Sequence, residues 1–115
     1  LVSSSAASDV YKRQELNAGA DLVILEGRES SNAGIYRGSG ELRKGLIEEI
    51  LDSGIKLTDL IFEANNKANQ VEILKLYGEN VNFGNICFDD VLPLETLRLG
   101  IRSDTLNRFN YKLNI

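Results

Sequence analysis

Three short apolar runs along the chain alternate with longer stretches of helical periodicity. The runs lie in residues 21–26, 59–65 and 81–88. They are rich in aliphatic and aromatic residues and too short for ordinary helices, which is typical of buried strands. The first two runs lead straight into carboxylates, at Glu26 and Glu63. We therefore expect polar groups to collect where the strands end.

Apolar residues recur every three or four positions in the segments that follow each run. They are Leu42, Leu46, Ile47, Ile50 and Leu51 in residues 41–53, Ala68, Val71, Leu74 and Tyr77 in residues 66–77, and Leu94, Leu97, Leu99 and Ile101 after Pro93. Gly54 and Gly78 are placed to end the first two helices, and Pro93 suits the first position of the third. The order β-α-β-α-β-α predicts an α/β fold with parallel strands and right-handed helical crossovers.

The chain length limits what this fold can be. Three parallel strands in 115 residues make a narrow sheet, and parallel sheets normally need cover on both faces, so we expect a part of something larger. Residues 16–21 are typical of the last turn of a helix that leads into the first strand. Residues 1–14 have no clear period and resemble translated adapter sequence at the end of a gene fragment; the alternative is a native disordered tail. The predicted domain is therefore residues 15–115.

Composition excludes several classes of function. The net charge of −4 and the isoelectric point near 4.8 argue against a general nucleic-acid surface, and no apolar run approaches membrane-spanning length. With Cys87 as the single cysteine, an internal disulfide is excluded, and a cytoplasmic location is the default expectation. We interpret Cys87 as a small core residue rather than a nucleophile. Because the chain has no histidine, proton transfer falls to Glu, Asp, Lys, Tyr or water.

Four segments in order resemble phosphosulfolactate synthase: Ala18-Gly-Ala-Asp-Leu-Val-Ile-Leu-Glu-Gly-Arg-Glu-Ser30, Leu60-Ile-Phe-Glu-Ala64, Asn82-Phe-Gly-Asn-Ile86 and Leu94-Glu-Thr-Leu-Arg-Leu-Gly-Ile-Arg-Ser-Asp-Thr105. The resemblance implies a (β/α)₈ TIM barrel, of which this chain would be the C-terminal three β/α units. It also implies a carbon–sulfur bond-forming lyase that adds sulfite to phosphoenolpyruvate with Mg²⁺. The product would be (2R)-phospho-3-sulfolactate, in an early step of coenzyme M biosynthesis in methanogens.

The acid that protonates the substrate is, in the family, proposed to be a lysine on the strand before this segment. That strand is absent here, so we predict that the isolated chain is inactive. Asn65, Pro93 and residues 106–115 depart from the family pattern and leave the substrate open. The main rival is a non-catalytic barrel relative of the heat-stress-associated type that acts through protein contacts. A weaker rival is another barrel lyase or aldolase that uses a phosphorylated enol. The sequence also leaves a homo-oligomer open.

Alternation along the strands predicts which side chains share a face. If Glu26 faces the barrel axis, Leu22 and Ile24 do too, and Glu63 follows the same phase with Ile61. Because neighbouring strands lie about 4.8 Å apart, both carboxylates could reach one hard cation. Glu26 and Glu63 are therefore the predicted metal ligands; the alternative is that they pair with an interior Lys or Arg.

The remaining candidates lie just beyond the strands. Arg28 could grip a phosphate or sulfite, with Glu29 in support, and we group both with Glu26 as catalytic candidates; a salt bridge between Arg28 and Glu29 is the alternative. Residues 31–40 suit a lid or a plain connector. Lys67, at a helix start with Gln70, could bind an anion or be a solvated surface lysine.

After the third strand, Gly84 would let a ligand approach, and Asn85 or Asn82 could supply an amide. If Asn82 and Gly84 face the axis, Asn85 does so only if the strand bulges. Asp89 and Asp90 are expected to cap the final helix. Arg98 and Arg102, with Glu95, have the spacing of a salt-bridged surface pattern.

Overall fold

The computed structural model describes residues 16–27, 34–106 and 108–109. Its regular elements are β1 (Val23–Leu25), α1 (Lys44–Asp52), β2 (Leu60–Glu63), α2 (Lys67–Tyr77), β3 (Asn82–Gly84) and α3 (Val91–Arg98), with 3₁₀ turns at Leu57–Asp59 and Phe88–Asp90. The predicted order β-α-β-α-β-α is confirmed. No helix in this part of the chain is long and apolar enough to cross a membrane.

The three strands form one parallel sheet in the order β1-β2-β3. Leu25 is level with Phe62 on β2, and Phe62 is level with Phe83 on β3. Helical connections between parallel neighbours place the helices against the sheet, as the sequence predicted. The chain is thus an α/β protein with parallel strands and flanking helices.

The two faces of the sheet differ in burial. Val23, Leu25, Leu60 and Phe62 are buried in the same apolar core as the inner faces of the helices. On the other face, the residues that alternate with them are open: Leu22 is 45% exposed and Ile24 is 49% exposed. The predicted alternation on β1 is therefore correct, and within the described residues the helices cover one side of the sheet.

The segment before α1 differs from the prediction. The helix begins at Lys44 instead of residue 41, and Leu42 forms an isolated antiparallel bridge with Tyr36. The reason is a tight turn between them, in which the Arg37 N–H donates to the Glu41 carbonyl at 2.7 Å. This turn uses backbone groups that an extra helical turn would have needed. At the other end Gly54 stops α1 as predicted, with φ of +98°.

The buried face of α2 is rotated from the predicted stripe. Ala68 is exposed, whereas Gln70 and Ile73 are buried beside Leu74. Gln70 is tolerated inside because its side-chain amide donates to the Ala64 carbonyl at 3.2 Å, which ties the helix to the end of β2. The helix ends are as predicted within one residue: Asn66 caps the start, and Gly78 follows the last turn.

The region after β3 contains three corrections. The strand ends at Gly84, because Asn85 adopts a left-handed conformation with φ of +56° and turns the chain out of the sheet. Cys87 is consequently exposed and is not a core residue. Helix α3 begins at Val91, two residues before Pro93. Pro93 is tolerated there because residues in the first turn of a helix need no N–H for an intrahelical hydrogen bond.

The end of α3 also differs from the sequence prediction. Leu94 and Leu97 are buried as expected, but Leu99 and Ile101 are exposed because the helix stops at Arg98. Asp90 occupies the N-cap position, yet its side chain makes no capping hydrogen bond.

Candidate functional site

Two carboxylates lie side by side at the ends of β1 and β2. Glu26 directly follows Leu25, and Leu25 is paired with Phe62, so the next residues, Glu26 and Glu63, come level. Both alternate with buried neighbours and therefore project toward the open face of the sheet, where each is partly exposed. The arrangement that the metal hypothesis required, two acids on one side of the sheet, is present.

The Glu63 carboxylate is held by the turn after β1. The Gly27 N–H donates to Glu63 Oε1 at 3.1 Å. The ion pairs between described residues join Arg37 to Glu41, Lys67 to Asp104 and Arg98 to Glu95; neither Glu26 nor Glu63 is among them. Within this part of the chain, the alternative of a Lys or Arg partner for these acids finds no support.

Gly27 allows that contact by having no side chain. A Cβ there would lie 2.9 Å from the Glu63 carbonyl oxygen, 3.2 Å from the Glu63 Cβ and 3.0 Å from Cε2 of Tyr36. The first distance is shorter than Cβ contacts in folded proteins, and the other two are unusually tight, so a larger residue here would force the two strand ends to shift. Sequence reasoning did not single out this position.

Tyr36 is the second residue that sequence reasoning missed. Its hydroxyl donates to the main-chain carbonyl of Glu63 at 2.7 Å. Burial, followed by the negative charges of Glu72 and Glu63, raises the pKa of Tyr36 well above its usual range. The phenol therefore keeps its proton and remains a hydrogen-bond donor. The signal in the sequence was Ile35-Tyr36, an apolar pair inside an otherwise polar loop.

The described part of the loop predicted as a lid or connector, residues 34–40, is a turn whose first residues are packed against the core. Ile35 is fully buried, and its N–H donates to the Glu26 carbonyl at 3.0 Å. The Arg43 N–H donates a hydrogen bond to the Ile35 carbonyl at 2.7 Å. Residues 34–40 are thus attached to the strand ends. Arg28, Glu29 and residues 30–33 lie outside the described residues, and their predicted roles stay predictions.

The candidates on β3 complete the row of strand ends. Gly84 is level with Glu63. A Cβ on Gly84 would lie 2.7 Å from Cγ2 of Ile61, so the missing side chain of Gly84 makes room for the side chain of Ile61. Asn82 donates to the carbonyls of Thr58 and Leu60, at 3.2 Å and 3.1 Å. Its amide is therefore engaged in holding the sheet together, and Asn85 is the exposed amide of the pair.

Lys67 stands at the first position of α2, as predicted, but it is paired. Its ammonium lies 2.9 Å from the Asp104 carboxylate. The hydrogen bond from Lys67 is the main reason that the pKa of Asp104 lies below its usual value. An open cleft of about 720 Å³ adjoins this pair and is lined by Lys44, Lys67, Ala68, Val71, Glu72, Lys75, Leu76 and Asp104. An anion that enters this cleft would therefore encounter a Lys67 ammonium whose charge is already partly neutralised by Asp104.

Arg98, the last residue of α3, and Arg102, four residues beyond it, have structural partners. Arg98 pairs with Glu95 at 3.3 Å, as the spacing predicted, and it also donates to the Val81 carbonyl at 3.0 Å and lies over the Phe83 ring. It therefore fastens α3 to β3. Arg102 contacts the Thr96 hydroxyl at 3.5 Å.

The donor set at the strand ends suits a hard cation but is small. Carboxylate oxygens are the ligands that Mg²⁺ prefers, and it commonly binds through one or two of them while it keeps several waters. No group of three or more Asp, Glu, Cys or His side chains placed to hold one metal ion occurs within the described residues. Glu26 and Glu63 would therefore act as a pair.

Comparison with known proteins gives one consistent result. The family model described as (2R)-phospho-3-sulfolactate synthase (ComA) matches residues 4–104, a range that begins within residues 1–14. A phosphosulfolactate synthase of Bacillus subtilis is 47% identical over 95 residues, which cover 83% of this chain and 38% of the relative. The phosphosulfolactate synthases of Methanocaldococcus jannaschii and Methanothermobacter thermautotrophicus are 41% and 39% identical over 82% and 85% of the chain. The chain spans about two fifths of the length of these relatives.

Proposed function

The chain belongs to the phosphosulfolactate synthase family, and we propose that it supplies one side of an active site that adds sulfite to phosphoenolpyruvate. The product would be (2R)-phospho-3-sulfolactate, and the parent protein would be a carbon–sulfur bond-forming lyase. The observation that carries the proposal is the row formed by Glu26, Glu63 and Gly84 at the carboxyl ends of three parallel strands. In α/β proteins, this end of the sheet is where ligands bind.

The reaction joins two anions, which makes charge the central problem. A lone pair of the sulfite sulfur forms the C–S bond at the methylene carbon, the π electrons move toward the substrate carboxylate, and a proton then reaches the central carbon. Bound Mg²⁺ would lower the energy of the charge that collects on that carboxylate. Glu26 and Glu63 would hold it, since they are level, share the open face and consist of oxygen donors.

The groups that receive the anions are a further part of the proposal. Arg28, two residues after Glu26, would bind phosphate or sulfite with paired hydrogen bonds, and Glu29 would orient it. Gly84 and Asn85 would border the phosphate at the end of β3. Lys67 would contribute only if an anion competes with Asp104, which lies 2.9 Å from its ammonium.

We infer that the 115-residue chain is inactive by itself. Within the described residues the sheet has three strands, so β1 and β3 each pair on one side only, and the face that carries Glu26 and Glu63 is open to water. By resemblance to the family, the lysine that acts as the acid belongs to a preceding strand. We also propose a cytoplasmic location and a homo-oligomeric state for the parent protein.

A chimera tests the function directly. In the Bacillus subtilis relative, the 95-residue segment that aligns with this chain is replaced by the corresponding aligned segment of this chain. Sulfite-dependent consumption of phosphoenolpyruvate is then measured for the chimera and for the isolated chain. We expect the chimera to be active and the isolated chain to be inactive, because only the chimera has a complete pocket.

Substitutions in the chimera test the two acids. Glu26→Gln and Glu63→Gln keep the side-chain shape and remove the charge, and each is expected to lower kcat/KM by about 100-fold or more. Glu49→Gln, on the exposed side of α1, is the matched control and should leave the rate unchanged. A folded chimera without activity, or full activity with both acids replaced, would overturn the proposal.

A further inference from the structure

Two consecutive residues of the turn before α1, Ile35 and Tyr36, form hydrogen bonds with the main chains of Glu26 and Glu63. The Ile35 N–H donates to the carbonyl of Glu26 at 3.0 Å, and the Tyr36 hydroxyl donates to the carbonyl of Glu63 at 2.7 Å. A single short segment therefore bridges the ends of the two strands. Neither residue offers a group to a ligand in doing so.

The turn itself is rigidly attached. Ile35 is fully buried in the core, and Tyr36 forms an antiparallel bridge with Leu42 just before α1. The Arg43 N–H donates to the Ile35 carbonyl at 2.7 Å. Because both flanks of Tyr36 are held by backbone hydrogen bonds, its phenol ring has little freedom to follow Glu63 if Glu63 moves. The hydroxyl therefore ties the Glu63 main chain to a well-anchored turn.

Tyr36 also lies close to Gly27, the residue that donates to the Glu63 carboxylate. Its ring carbon Cε2 lies 3.0 Å from the place where a Cβ of Gly27 would be. The Gly27 N–H is the donor to Glu63 Oε1, at 3.1 Å. Tyr36 thus lies against the donor residue and bonds to the residue that carries the acceptor.

We propose that Tyr36 is a positioning residue, whose hydroxyl holds the Glu63 main chain where the Glu63 carboxylate meets the Gly27 N–H beside Glu26. This inference rests on the proposed function, because the position of Glu63 matters for catalysis only if that carboxylate binds the cation. Tyr36 would contact neither substrate nor metal. Its contribution would be the placement of one ligand.

The first experiment measures the contact without any metal. In ¹H–¹⁵N spectra of the chain, the Gly27 amide proton should be shifted downfield by its charged acceptor. Glu63→Ala removes that acceptor and defines complete loss. Tyr36→Phe, which keeps the ring, should change the chemical shift of the Gly27 amide proton by at least half of the change that Glu63→Ala produces. Tyr77→Phe also removes the hydroxyl of a partly buried tyrosine, stacked on Phe62 at 5.4 Å, and should leave the signal in place.

The second experiment measures cation binding. Mn²⁺ shares the preference of Mg²⁺ for oxygen ligands, and its broadening of the Gly27 and Glu63 amide signals gives an apparent affinity. Tyr36→Phe should weaken this affinity by about two- to tenfold, the range that one hydrogen bond supports, and Tyr77→Phe should not. A tyrosine that merely stabilised the fold would lower the unfolding midpoint of the chain and leave the affinity of the folded protein unchanged.

The two readouts separate failure of the inference from failure of the proposed function. Wild-type chain without Mn²⁺ broadening at these amides would contradict the metal site, and the Gly27 shift alone would then decide the role of Tyr36. An unmoved Gly27 signal in Tyr36→Phe, or wild-type Mn²⁺ affinity in that variant, would overturn the inference while the metal site stands.

Discussion

Replacing Gly27 by alanine tests the close approach of the two strand ends. The added Cβ would lie 2.9 Å from the Glu63 carbonyl oxygen, a backbone atom that can move only with β2. Overpacking of this kind costs about 1–3 kcal/mol, and disturbance of the hydrogen bond from Gly27 to the Glu63 carboxylate adds about 1 kcal/mol. We therefore expect the free energy of unfolding to fall by about 2–4 kcal/mol, a large share of the stability of a small domain.

Urea unfolding followed by circular dichroism measures this loss. With a slope of about 1–2 kcal/mol per M, the midpoint should fall by at least about 1 M. Gly38→Ala is the matched control, because nothing lies within 4 Å of its added Cβ, and its effect should stay within about 0.5 kcal/mol. If Gly27→Ala unfolds at the wild-type midpoint with an unchanged slope, the steric argument for Gly27 is wrong.

Three further predictions concern charge and packing. The pKa of Asp104 is lowered mainly by its hydrogen bond from Lys67, so the Asp104 carboxylate stabilises the fold above its ordinary pKa of about 3.9 and loses this effect as the pH falls through the lower folded pKa. The difference in urea midpoint between wild type and Asp104→Asn should therefore shrink in acid. A difference that persists in acid would contradict the ion pair. Gly45→Ala, in α1 with open space at its Cβ, should raise the unfolding free energy by about 0.5–1 kcal/mol in the same assay, and a loss would count against the helix. Phe62→Ala should cost about 3–5 kcal/mol, whereas Phe88→Ala, at a side chain that is 92% exposed, should cost less than about 0.5; equal effects would refute the assignment of the core.

The sequence was sufficient for the order of elements and for the phase of the strands. Period-two alternation around Ile24 and Ile61 settled which side chains accompany Glu26 and Glu63, because a strand has only two faces. Gly54 and Gly78 marked two helix ends correctly, since few residues other than glycine adopt a positive φ at low cost. These features depend on local rules that tertiary packing does not change.

Features that depend on specific contacts, both between near neighbours and between residues far apart in the chain, were missed or misplaced. Gln70 is buried because it bonds to a carbonyl six residues earlier, which rotates α2 away from the stripe that hydropathy alone suggested. Leu42 has helical spacing but pairs with Tyr36 across a turn. The roles of Gly27 and Tyr36 follow from their contacts with Glu63, which are 36 and 27 residues away along the chain, and no periodicity reports such contacts.

The bare side of the sheet has a consequence for any ion held there. Glu26 and Glu63 share it with Leu22 and Ile24, which are about half exposed. At such a position bulk solvent screens the attraction between carboxylate and cation, so occupancy should decline steeply as sodium chloride is added. Once a second layer of protein shuts out the solvent, the same pair of oxygens would hold the ion with far less sensitivity to electrolyte. Salt dependence thus becomes a gauge of how completely that side is enclosed.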